Sequence, residues 1–99
     1  MQTWVYVVRL MRKGAFAAPT AAETQAVDRH FDRLKKAFEA GTVHLAGPAL
    51  DGEFGLVVFD AEGEEAARRF MAEDPAVQAG VMSAELHPFC MSLGRRGRS

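Results

Sequence analysis

A helix predicted over residues 20–41 organises the sequence. Thr20 followed three residues later by Glu23 is a capping-box pattern, in which the hydroxyl and the carboxylate each accept a hydrogen bond from a free backbone N–H group. Apolar residues at helical spacing predict one buried stripe, which consists of Val27, Phe31, Leu34 and Phe38. Gly41 then favours the left-handed conformation in which many helices end. On this helix we expect His30 at the edge of the buried face, about 60° from its middle and beside small alanines.

Length and composition predict one soluble domain. The chain has 99 residues, the usual size of a single domain, and its formal net charge of −1 gives no general attraction to nucleic acid or membranes. The single Cys90 excludes an internal disulfide and suits a reducing compartment. The apolar run over residues 4–10 is too short for a signal sequence or a membrane span. We therefore predict a cytoplasmic domain over residues 1–93, followed by a basic flexible tail over residues 94–99.

Strand-like and helical segments follow one another in the order β-α-β-β-α-β. Strands are expected over residues 4–8, 43–46, 55–59 and 83–91, with a second helix over residues 64–73. The first and third strands are apolar at consecutive positions, which is typical of central strands covered on both faces. Pro88 predicts an edge position for the last strand, because proline cannot donate to a sheet ladder. The order predicts an α+β, ferredoxin-like fold, with two helices on one face of a four-stranded antiparallel sheet.

The sheet face without helices predicts a partner. Residues 4–8 and 55–59 are apolar on both sides, although the helices cover one side only. A second copy of the chain is the simplest cover, so we expect a homodimer in the form of a dimeric α+β barrel, burying on the order of 1,600 Å². The alternative is that the loop over residues 11–19 covers this face, but it has few apolar residues for such an area.

An ordered set of motifs covering most of the chain resembles the YCII-related family. The set comprises His-Phe-Asp-Arg-Leu at residues 30–34, Gly41, Ala-Gly-Pro at residues 46–48, Asp51 with Gly55, residues 74–81 and residues 84–89. The resemblance implies a dimeric ferredoxin-like fold, similar to that of muconolactone isomerase, with a histidine–aspartate pair in a cleft. It also implies small-molecule chemistry, since at least one member is a dehydrochlorinase acting on a chlorinated hydroxyquinol.

Matching positions make His30 and Asp74 the implied histidine–aspartate pair. Some relatives carry an arginine three residues before the histidine; this chain has Val27 there, so an anion-binding role tied to that arginine does not carry over. A carboxylate that accepts from one ring nitrogen sets the tautomer and leaves the other nitrogen free for general acid–base chemistry. The alternative is that His30 is a half-buried helix residue and Asp74 only caps the turn before Pro75.

Several other residues are weaker candidates for a functional site. Phe16, in the first loop, is a candidate lid over a small ligand, and Gly47 and Pro48 are candidate substrate-binding residues. His87 is a candidate for the cleft or the dimer interface, with a backbone contact on an edge strand as the alternative. Cys90 is more typical of a small buried hydrophobic residue than of a nucleophile. The histidines lack close metal-ligand spacing and no Gly-rich phosphate loop is present, so neither a metal nor a cofactor is expected.

Together these patterns favour a cofactor-independent enzyme of lyase, isomerase or dehydrochlorinase type. It would use His30 and Asp74 on a small molecule in a cleft of the homodimer. A non-catalytic small-ligand-binding or interaction module with the same fold is the alternative. A cofactor-free monooxygenase of similar fold is a third hypothesis, which no motif favours. The residues name no substrate.

Overall fold

The computed structural model describes residues 1–94 and contains one antiparallel sheet. Its strands are β1 (Gln2–Leu10), β2 (Val43–Pro48), β3 (Gly55–Ala61) and β4 (Met82–Pro88). The helices are α1 (Ala21–Glu39), α2 (Glu64–Ala72) and the short α3 (Pro75–Gln78). The strand order β2-β3-β1-β4 confirms the ferredoxin-like α+β fold, with β1 and β3 central and Pro88 on an edge strand. Except for Gly94, the predicted basic tail lies outside the described residues.

Helix α1 begins and ends where its local sequence predicts. The Thr20 hydroxyl accepts from the Glu23 N–H at 3.1 Å, and the Glu23 carboxylate accepts from the Thr20 N–H at 2.8 Å. Gly41 follows the helix with φ +90°, the left-handed conformation. Strand β2 continues to Pro48, two residues beyond its predicted end. This extension matters because it brings Gly47 and Pro48 into the sheet beside α1.

Arg12 connects the loop after β1 to the first turn of α1. Its guanidinium donates to both oxygens of the Glu23 carboxylate, from Nε at 2.9 Å and from Nη2 at 2.8 Å. The Arg12 guanidinium, together with the Thr20 backbone, lowers the pKa of Glu23 to about 2. Glu23 therefore stays ionised at neutral pH, and the loop is held beside the helix.

The predicted apolar stripe on α1 is wrong in its rotation. Leu34 is buried, but Phe31 and Phe38 are 63% and 57% exposed. The buried residues of α1 are instead Glu23, Ala26 and Leu34, and Ala37 packs against the core. His30 lies within this face rather than at its edge. Hydrophobicity alone misplaces the face, because alanines and a paired glutamate contribute little to an apolar pattern.

One apolar core lies between the sheet and the helices. Tyr6 and Phe59 are fully buried on adjacent central strands, with their ring centroids 5.7 Å apart in an edge-to-face arrangement. The Phe70 ring of α2 stacks on Phe59 at a centroid distance of 4.6 Å. The other buried members are Trp4, Val8, Leu34, Val43, Val57, Ala61 and Ala67. This packing fixes the Tyr6 ring, and with it the position of its hydroxyl.

The opposite sheet face carries an apolar centre between two polar clusters. Val5 and Val58 are shielded there by neighbouring side chains, whereas Val7 and Leu56 are partly exposed. The clusters consist of Thr3, His44 and Asp60 towards β2, and of Arg9, Glu85 and His87 towards β4. The loop over residues 11–19 lies on the helix side of the sheet, so the alternative that it covers this open face is wrong.

Within residues 1–94, no helix combines the length and the apolar character that crossing a membrane requires.

Shortening two apolar side chains of α1 should separate the predicted stripe from the observed one. Leu34→Ala should lower the free energy of unfolding by about 2–5 kcal/mol, because it leaves a cavity in the core. Phe38→Ala, on the exposed side, should change it by no more than about 1 kcal/mol. Urea denaturation measures both, and similar losses in the two variants would contradict the observed rotation.

Candidate functional site

Asp74 is a completely buried carboxylate at the start of α3. The residue before a proline is disfavoured in the helical conformation, and Asp74 is accordingly extended, with φ −61° and ψ 126°. Pro75 occupies the first helical position, where no N–H is needed. One oxygen of Asp74, Oδ1, accepts from the Ala76 N–H at 3.0 Å and so caps the helix. The other oxygen, Oδ2, is left to face β1 and α1.

Two side chains bond to that second oxygen. The Tyr6 hydroxyl donates to Asp74 Oδ2 at 2.5 Å, and Nδ1 of His30 lies 2.6 Å from the same atom. Burial raises the pKa of Asp74 and is the largest single effect, but the hydrogen bonds from His30 and Tyr6 together outweigh it and keep that pKa below its usual value. An ionised carboxylate only accepts hydrogen bonds. Nδ1 of His30 therefore carries the hydrogen, and Nε2 of the neutral ring is free to accept a proton.

Tyr6 and Arg33 complete the surroundings of the pair. Burial, followed by the charge of Asp74, raises the pKa of Tyr6 far above its usual value, so the phenol keeps its proton and remains a donor. The guanidinium of Arg33, one turn after His30 on α1, lies 4.2 Å from the centre of the Phe70 ring. Its charge opposes part of the rise in the Tyr6 pKa. Arg33 thus places a positive charge close enough to the Tyr6 hydroxyl to act on it.

His30 also lines a cleft of about 580 Å³. The cleft lies between α1, the loop over residues 11–19 and the hairpin that joins β2 to β3. The side chain of His30 is only 12% exposed, so its ring is largely covered yet reaches the cleft. Most of the lining is apolar, including Val8, Leu10, Leu34, Met82 and the rings of Phe16, Phe31 and Phe54. Its size and lining suit a small organic molecule.

Phe16 closes one end of this cleft by contact with the hairpin turn. A Cβ atom at position 52 would collide with the Phe16 ring, and Gly52 has φ +78°. Only glycine meets both conditions, because any side chain would be strained and would collide with the ring. The ring is nevertheless 55% exposed, so it lies across the opening rather than in the core. This placement is compatible with the predicted lid, whose role stays a prediction.

The structure brings together most, but not all, of the predicted site residues. Phe16, Gly47 and Pro48 line the cleft, and Asp74 lies behind His30 without lining it. His87 lies outside the cleft, because side chains alternate along β4 and its own points to the opposite sheet face. There its Nε2 is 3.3 Å from a Glu85 oxygen. A place for His87 at a dimer interface remains a prediction.

Tyr6 is the site residue that the sequence patterns do not identify. It stands 68 positions before Asp74, and nothing local connects the two. The strand itself does carry a signal: Trp4, Tyr6 and Val8 are every second residue and share the buried side, where a hydroxyl needs a polar partner.

Cys90 is exposed, so its expected burial is wrong. Within residues 1–94, no group of three or more histidine, cysteine or carboxylate side chains could hold a metal ion.

The fold and the cleft define a ferredoxin-like α+β domain with a buried histidine–aspartate contact. The sequence matches the YCII-related domain over residues 5–89, and the chain belongs to the YCII-related family. It is similar in structure to 5-chloro-2-hydroxyhydroquinone dehydrochlorinase from Burkholderia phenoliruptrix, solved in complex with 2,5-dihydroxybenzoquinone. The TM-score is 0.66 at 16% sequence identity, covering 88% of this chain and 93% of that chain, a likeness that shows the fold. No curated protein matches this sequence.

Replacing Asp74 by asparagine should expose the stabilising role of its charge. Because folding lowers the pKa of Asp74, the carboxylate stabilises the folded state above the unfolded value of 3.8, and this contribution is lost as the pH falls through the lower folded value. Asp74→Asn should therefore cost about 1–3 kcal/mol at neutral pH. The difference from the parent should shrink in acid.

Chemical denaturation across the acidic range measures this difference. Asp32→Asn, which alters an exposed carboxylate on the same helix as His30, is the control and should show neither effect. A loss of stability in Asp74→Asn that stays constant down to strong acid would contradict an ionised, stabilising Asp74.

Proposed function

We propose that this chain is a small-molecule enzyme in which His30 transfers protons and Asp74 positions it. The observation that supports this proposal most is the division of labour between the two ring nitrogens. Nδ1 contacts a buried, ionised carboxylate at 2.6 Å, whereas the ring reaches a mostly apolar cleft. A histidine held in this way presents one defined nitrogen to a ligand. Membership of the YCII-related family is compatible with this role.

The proposed chemistry is removal of a proton by Nε2 of His30. The imidazolium that forms is stabilised by the Asp74 carboxylate through the Nδ1 hydrogen bond, and Tyr6 keeps its own proton throughout. In an isomerase the same proton returns to another substrate atom. In a dehydrochlorinase acting on a chlorinated quinol, one hydroxyl proton first moves to the ring carbon that bears chlorine, so that this hydroxyl becomes a carbonyl. Removal of a second hydroxyl proton then forms another carbonyl, and chloride leaves with the electrons of the carbon–chlorine bond. Dehydrochlorination is the reaction to test first, because the structurally similar protein is named as a dehydrochlorinase.

We also propose that the chain forms a homodimer through the open sheet face. Val7 and Leu56 remain partly exposed at the centre of that face, and Leu45 at its β2 side is 51% exposed. The flanking polar clusters are compatible with the rim of such an interface, since interfaces commonly have an apolar core and a polar rim. A second copy related by a two-fold axis would bury this apolar centre on both chains.

The site variant that tests catalysis is His30→Gln. We expect release of chloride from 5-chloro-2-hydroxyhydroquinone to slow by about 10²–10⁴-fold relative to the parent, the usual contribution of general acid–base catalysis. The rate is measured with a chloride electrode, and thermal denaturation verifies that the variant is folded. Arg29→Gln is the matched control, because Arg29 is adjacent in sequence but lines a different groove, between α1 and α3. Turnover by His30→Gln at the parental rate would contradict the proposal, and binding without turnover in the parent would favour the non-catalytic module.

The dimer is tested by placing a charge on the open face. Val7→Lys should convert the homodimer to a monomer, because it buries a lysine at the centre of the proposed interface. Phe38→Lys, on the exposed side of α1, is the control and should leave the dimer intact. Light scattering after size-exclusion chromatography gives the mass of each. A monomeric parent, or a Val7→Lys variant that remains a dimer, would contradict this arrangement.

A further inference from the structure

Arg33 holds a positive charge close to the core in a place where packing alone does not require one. Its side chain is 23% exposed, and the guanidinium lies 4.2 Å from the centre of the Phe70 ring. Nη2 is 4.0 Å from a carboxylate oxygen of Glu73, which is itself largely exposed. Nη1 is buried and donates to no acceptor among residues 1–94. Because a buried donor without an acceptor is unfavourable, an apolar side chain would cover Phe70 more favourably, and the charge itself needs an explanation.

The charge of Arg33 acts on the hydrogen bonds that join Tyr6, Asp74 and His30. It opposes part of the rise in the Tyr6 pKa that burial and the Asp74 charge cause. A cation that makes the phenol easier to ionise also makes its O–H group a stronger donor. Tyr6 donates to Asp74 Oδ2, the same atom that contacts Nδ1 of His30. The two donors share the negative charge of one oxygen, so a stronger Tyr6 donor weakens the attraction of Asp74 for a protonated imidazole.

The ionisable side chains around the His30 ring and Arg33 are otherwise acidic, and they comprise Asp74, Tyr6, Glu23, Asp28 and Glu73. Arg12 balances the charge of Glu23, and water screens the exposed Asp28 and Glu73. Asp74 therefore dominates, and an ionised carboxylate in contact with an imidazole favours the protonated ring. A protonated ring has no lone pair with which to accept a proton. Arg33 supplies a positive charge that opposes this effect.

We propose that Arg33 is a positioning residue that keeps His30 unprotonated at rest, because it weakens, through Tyr6, the attraction of Asp74 for the protonated ring. The inference rests on the proposed function, in which Nε2 of His30 accepts the substrate proton. Arg33 does not line the cleft, so it acts on the chemistry through the imidazole and not through the ligand. Without its charge, Asp74 should hold the protonated ring more strongly, and Nε2 should become available as a base only at higher pH.

The protonation of His30 can be followed on the full chain, without turnover, through the magnetic resonances of the carbon-bound protons of its ring. Arg33→Met removes the charge and keeps an apolar chain over Phe70. We expect the midpoint pH of the His30 titration to rise by about 0.5–1 unit, because loss of a nearby cation favours the charged ring. Arg33→Lys retains the charge and should return the midpoint to within about 0.3 unit of the parental value. The His30 resonances are identified by their absence from the spectrum of His30→Gln.

Arg29→Gln is the matched control. It removes the same charge from the residue next to His30, but Arg29 is exposed and lines the groove between α1 and α3. Because water and salt screen an exposed charge, the midpoint should move by no more than about 0.2 unit. An unchanged midpoint in Arg33→Met, an equal rise in Arg29→Gln, or a rise in Arg33→Lys as large as that in Arg33→Met would overturn the proposal. If Arg33→Met does not fold, Arg33→Gln gives the same comparison.

The rate of chloride release from 5-chloro-2-hydroxyhydroquinone supplies a second readout. Arg33→Met should move the acid limb of the pH–rate profile to higher pH by the same amount, so that turnover falls by about three- to tenfold on that limb and recovers above it. A purely structural role would lower the rate equally at every pH, and that result would contradict the proposal. Because the resonance measurement needs no turnover, an inactive parent in which Arg33→Met still raises the midpoint would contradict only the proposed catalysis.

Discussion

The relative positions of β1, α1 and α3 depend on the hydrogen bonds that the Asp74 carboxylate accepts. It is fully buried and ionised, a state that is costly unless hydrogen bonds replace the lost water. Three different elements supply those bonds: Tyr6 from β1, His30 from α1 and the Ala76 N–H from α3. One side chain thus fixes a central strand, the long helix and the short helix relative to one another. Removing any one donor would leave a buried charge less well satisfied.

The rotation of α1 follows from the same contact. To bring Nδ1 within 2.6 Å of Asp74, the helix must turn His30 inward. Ala26 and Ala37 lie on the inward side, where their small side chains allow close packing. Phe31 and Phe38 are consequently left largely exposed. Phe31 then lines the cleft. The rotation that exposes this aromatic ring therefore also forms part of the wall of a ligand-sized space.

Local chemistry explains which parts of the fold could be predicted from the sequence. The capping box at Thr20 and the left-handed Gly41 act within a few residues and mark the ends of α1, and the proline in the last strand favours an edge position. The order of the predicted strands and helices identifies the topology. The contact between His30 and Asp74 spans 44 positions, and it was suggested by resemblance to a family rather than by spacing. The partnership of Tyr6 with Asp74 and the rotation of α1 depend on tertiary packing. A single sequence carries little direct information on either.

Helix α3 has only four residues, and so short a helix has almost no stability of its own. Its first turn is held by the carboxylate that also orients the imidazole, and by Ala76, which is completely buried. Fraying of this single turn would withdraw Asp74 from His30 while the sheet remained intact. In the proposed enzyme, proton transfer by His30 would then be lost on heating when this short segment opens, at temperatures below those that melt the whole domain.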